Sequence, residues 1–69
     1  MRQAGKGGSL MQIWKAGAKI PFIVQHPFSR HRVVVTRYNW LEEFFEGHLL
    51  DQSVQLSANW FEWYFVREA

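Results

Sequence analysis

The chain has 69 residues, 17% of them aromatic, with four Trp, six Phe, two Tyr and no cysteine. This length means one domain with a core marginal by size, because a chain of about 60 residues buries only about 60% of the surface its unfolded form exposes. The missing cysteine excludes disulfides and thiolate metal sites, which leaves dense aromatic packing or oligomerisation to stabilise the fold. Net charge is only +2, but it is unevenly spread. Arg2, Lys6, Lys15, Lys19, Arg30, Arg32 and Arg37 precede Tyr38 without a single acid; Glu42, Glu43, Glu46, Asp51, Glu62 and Glu68 follow it, opposed only by Arg67. Such asymmetry points to charged partners or to pairing between the two halves.

Residues 1–9, MRQAGKGGS, are basic and Gly-rich and read as a flexible tail. No apolar h-region follows them, and no apolar run is long enough for a membrane span. Together with the absent cysteine this leads us to expect a cytoplasmic protein with no membrane partner. Residues 10–69 read as a single small domain.

Residues 10–15 (LMQIWK) look like a first strand, and Ala16, Gly17 and Ala18 like a turn. Residues 19–24 (KIPFIV) form a second strand. Pro21 lacks the N–H of a central strand, so this strand is an edge or begins near Pro21. Residues 25–31 are a loop, and residues 32–38 (RVVVTRY) are extended on the strength of three consecutive valines. Asn39 then suits an N-cap, with Glu42 three residues on in a capping-box pattern. Trp40, Leu41, Phe44 and Phe45 make one apolar stripe and Gly47 is a natural terminator, so a short helix is predicted over about 39–46. Residues 53–57 (SVQLS) alternate as a fourth strand, and Ala58-Asn59 suit a tight turn. The aromatic segment NWFEWYFV, residues 59–66, supplies the fifth strand, running on to about Arg67. Phe61, Trp63 and Phe65 should face inward; Trp60, Tyr64 and Val66 share the other face and are candidate interface residues.

The predicted fold is therefore mainly β, in the order β-β-β-α-β-β. It is a small five-stranded curved sheet or an SH3-like or OB-like barrel with one short helix.

Motifs for chemistry are sparse. His26, His31 and His48, with Glu46, lack any recognised metal-ligand spacing, so neither metal nor cofactor is expected. Ser9, Ser29, Ser53 and Ser57 have no GxSxG context. Gly5, Gly7 and Gly8 have no preceding strand to make a phosphate loop. Enzymatic activity is not expected. A non-enzymatic binding module is, through single-stranded DNA or RNA bound beside a basic groove with aromatic stacking platforms. The candidate residues are Lys15, Lys19, Arg30, Arg32 and Arg37, with Trp14, Phe28, Tyr38 and Trp60 as platforms. The alternative is a protein partner or a homo-oligomer, held through exposed aromatics and open sheet edges.

Overall fold

The computed structural model describes residues 7–69. Its elements are β1 (Gly7–Gly8), α1 (Leu10–Lys15), β2 (Phe22–Gln25), β3 (Arg32–Asn39), β4 (Phe44–Leu49), β5 (Gln52–Ser57) and β6 (Trp63–Glu68). The strands form one antiparallel sheet in the order β1-β6-β2-β3-β4-β5. The mainly β fold with one short helix is as expected. The sheet, however, is open and has six strands, and the helix stands near the start of the chain.

Residues 10–15 are helical rather than extended because Ser9 closes a capping box. Its hydroxyl accepts from the Gln12 N–H, and the Gln12 side chain accepts from the Ser9 N–H. That satisfies two N-terminal donors at once. Leu10 and Ile13 turn one side of the helix into the core, with Trp14 packed against it. Burying each of the first two is worth about 1.5–3 kcal/mol, which a helix this short could not supply alone. Lys15 sits in the last turn, where a cation suits the helix dipole. Gly7, Gly8 and Ser9, read from the sequence as tail, thus belong to the sheet and the helix cap; residues 1–6 of that tail lie outside the described residues.

The predicted helix over 39–46 does not form. Asn39 does cap a turn: its side chain accepts from the Leu41 and Glu42 N–H groups, and its carbonyl accepts from Glu43 N–H. Glu43 then adopts φ +60, which reverses the chain after one turn. Phe44 and Phe45 pair back onto Asn39 and Tyr38 as β4. Along β4 the alternation is that of a strand, with Phe45 and Gly47 buried and His48 exposed.

Gly47 is therefore no helix terminator. It faces the Val34 carbonyl so closely that a Cβ would collide with it. Opposite it, Thr36 is an extra residue between the Val35–Gly47 and Arg37–Glu46 pairs. This bulge bends the strand and shifts its alternation. Val33, Val35 and Tyr38 face inward, while Arg37 turns outward to pair with Glu46 at 3.3 Å. A second irregularity leaves Val66 unpaired between Phe65–Val24 and Arg67–Ile23.

The core comprises Leu10, Ile13, Phe22, Val24, Val33, Val35, Phe45, Ala58 and Trp63. β2 begins directly after Pro21 but lies inside the sheet, between β6 and β3, so it is not an edge. Residues 58–62 are no hairpin turn, since β5 and β6 are not neighbours. They carry the chain from the β5 edge to the far side of β2, held by Met11 N–H donating to the Ala58 carbonyl. Among the described residues, no helix is long and apolar enough to cross a membrane.

Candidate nucleic-acid interface

At one end of the sheet, β2 runs out into the loop 26–31 and β6 begins. Rings from these two segments meet there. His26 lies 4.8 Å from Phe61, 5.5 Å from Trp63 and 6.0 Å from Phe28, centroid to centroid. Phe61 in turn lies 5.5 Å from Trp63 and 6.3 Å from Trp60. Trp63 is buried and anchors the cluster in the core. Phe28 and Trp60, at its two ends, are 84% and 73% exposed. Two solvent-facing rings on different loops are thus joined through His26 and Phe61.

Backbone bonds fix the loop that carries Phe28. The Phe28 and Ser29 N–H groups both donate to His26 Nδ1 at 3.1 Å, so the neutral ring carries its proton on Nε2. His26 N–H donates to the His31 carbonyl and Arg30 N–H to the His26 carbonyl. Arg30 has φ +66 and Phe61 φ +86. Such conformations cost non-glycine residues about 1–3 kcal/mol, and Glu43 and Leu50 adopt them too, in the β3–β4 and β4–β5 turns. At Arg30 and Phe61 they aim the two loops that bear the exposed rings.

The cations follow from register. Gln25 stands opposite Arg32 on one side and Tyr64 on the other. Directly opposed residues share a face, so Tyr64, Gln25 and Arg32 form a row across the outer surface. Gln25 Nε2 also donates to the Arg30 carbonyl. Arg30 and Arg32 are exposed and make no ion pair among the described residues. Arg67 lies opposite Ile23 on the same outer face and is also exposed. A carboxylate is close by: Glu62 borders Gly7 beside Tyr64.

The candidate residues therefore separate. Phe28, Arg30, Arg32 and Trp60 share this end, and Tyr64, expected at an interface, joins them. Trp14 and Tyr38 stand elsewhere and are half-buried. They pack on each other at 5.1 Å and on Phe45 at 5.5 and 4.7 Å, as part of the core wall rather than as free platforms. Lys15 ends the helix. Lys19 is exposed, and its N–H donates to Glu68 Oε2. Arg37 is engaged by Glu46. Val66 is half-buried at its bulge.

Sequence reasoning missed Gln25, His26, Phe61 and Arg67 here. Arg67 falls in the acidic half of the chain, and only strand register shows that it shares a face with Arg32. The double N–H acceptance by His26 has no sequence signature.

A shallow polar hollow of about 520 Å³ lies farther along the sheet, over the Thr36 bulge, with Glu46, His48, Ser53 and Gln55 on its walls. No group of three or more His, Asp or Glu suited to a metal ion occurs among the described residues. No family model, curated protein or solved structure matches the chain, so the functional reading rests on these residues.

Proposed function

We propose that this is a non-enzymatic domain that binds single-stranded nucleic acid at the end of the sheet formed by the loop 26–31 and the start of β6. The observation that carries the reading is the pairing of two exposed rings, Phe28 and Trp60, with the unpaired cations Arg30 and Arg32 among the described residues. Bases of any sequence have faces that stack on aromatic rings, and the phosphates between them require positive charge. Tyr64 and Arg67 extend the same surface. A preformed platform lowers the ordering cost of binding, and the packing of His26 and Phe61 on each other and on buried Trp63 supports the reading. A cytoplasmic location belongs to the same proposal and rests on the absence of cysteine.

The test is anisotropy of a labelled oligonucleotide. Phe28→Ala and Trp60→Ala should each weaken binding about 5- to 150-fold, the equivalent of about 1–3 kcal/mol per stacked base. Arg30→Ala with Arg32→Ala should flatten the salt dependence by about 0.7 in log–log slope for each phosphate no longer neutralised. Absence of binding at low salt would refute the reading. A second reading, in which Trp60 and Tyr64 contact a protein, has the exposed aromatics in its favour. The unpaired arginines beside them favour a polyanion.

A further inference from the structure

The opposite end of the strand order carries a different feature. β5 pairs with β4 along its whole length, and no described strand lies on its other side. Open edges usually carry protection: a lysine, a proline, a bulge or a covering strand. β5, with the sequence QSVQLS, has none of these. The other side of the sheet does: β1 covers Trp63 and Tyr64, Val66 is bulged, and Arg67 and Glu68 are charged. A β5 edge docking on the β6 edge of another molecule would meet those obstacles.

We infer that β5 pairs antiparallel with β5 of a second copy of the chain, about a two-fold axis through Gln55. Side-chain parity puts the axis on a residue, and Gln55 is the residue that sets the two half-buried side chains of β5 against each other. Val54 and Leu56 are half-buried on the core side of β5, while Ser53, Gln55 and Ser57 are exposed on the other. With the axis at Gln55, Val54 faces Leu56 of the second copy and completes its burial, and Ser53 faces Ser57 of the second copy. Gln55 faces itself. Hydroxyls and carboxamides both donate and accept, so each can pair with its own kind. No charge lies on β5 to oppose its twin across the axis. The interface continues the sheet from one copy into the next and closes at two. It lies four strands from β6, so nucleic acid is not needed to form it.

Sedimentation and engineered cross-linking test this together. The native chain should sediment at twice its 8.2 kDa monomer mass. Gln55→Cys introduces the only thiol in the chain. Opposed Cα atoms in an antiparallel pair lie about 4.5–5.5 Å apart, inside the range of about 4.4–6.8 Å that a disulfide spans. Gln55→Cys should therefore cross-link on mild oxidation. Ser53→Cys should not, because its twin lies four residues along the strand, about 13 Å away. Gln55→Lys sets like charges on the axis and should give monomers with an unchanged far-UV spectrum. A native monomer at millimolar concentration would overturn the inference. So would assemblies of three or more copies, equal cross-linking by Ser53→Cys, or a Gln55→Lys dimer.

Discussion

Replacing Gly47 by alanine tests how the sheet acquires its bend. The new Cβ would lie well inside van der Waals contact with the Val34 carbonyl oxygen, and 3.2 Å from both the Val34 carbonyl carbon and Val33 Cγ1. The nearest obstacle is backbone, and it belongs to β3 beside the Thr36 bulge, so no side-chain rotation relieves the clash. Overpacking of this kind costs about 1–3 kcal/mol. Alanine returns about 0.4–1 kcal/mol by restricting the unfolded chain. The net loss should be about 1–2 kcal/mol. In a domain this small each kcal/mol moves Tm by about 4–8 °C, so Tm should fall by about 5–15 °C. Thermal unfolding followed by tryptophan fluorescence measures it. A Gly47→Ala protein at least as stable as the native one would refute the argument that close approach at Gly47 and the bulge opposite it shape the sheet.

Other substitutions probe separate links. Phe45 is fully buried among Trp14, Phe22 and Tyr38. Phe45→Ala should cost about 3–5 kcal/mol out of a total near 3–10 kcal/mol for a chain of this length, so its urea midpoint, followed by circular dichroism, should fall by about a third or more. Ser9→Ala removes the helix cap and should cost about 0.5–2 kcal/mol in urea denaturation. Arg37→Ala breaks an exposed pair and should change stability by less than about 1 kcal/mol and oligonucleotide affinity hardly at all. Glu62→Gln should tighten oligonucleotide binding about twofold, since a charge about 10 Å from a phosphate in water is worth about 0.4 kcal/mol.

The fold class is legible in the valine run, the alternating SVQLS segment and the aromatic last strand. Two segments misled because their signals serve more than one structure. Asn39 with Glu42 fits a helix cap and also a single Asx turn. The choice falls to the pairing of Phe44 and Phe45 with β3, a non-local event. Residues 10–15 are as apolar as a strand, but Ser9 and Gln12 spell a capping box, and Leu10, Ile13 and Trp14 recur at helical spacing. The helical signal is thus present in the sequence, and the cap decides between the two patterns. The bulge at Thr36 moves Arg37 off the face on which simple alternation puts it. For the candidate site, residue types are legible and their grouping is not. Trp14 and Phe28 look equivalent in sequence, yet one closes the core and the other stands in solvent. Only the strand order brings Arg32, Gln25 and Tyr64 into one row.

The most direct measurement is tryptophan fluorescence of the native chain titrated with a single-stranded oligonucleotide at low and at moderate salt. The account predicts quenching that weakens as salt rises and is largely lost in Trp60→Phe, because Trp60 is the exposed indole at the stacked end of the sheet. An unchanged spectrum, with no binding by anisotropy at low salt, would contradict it.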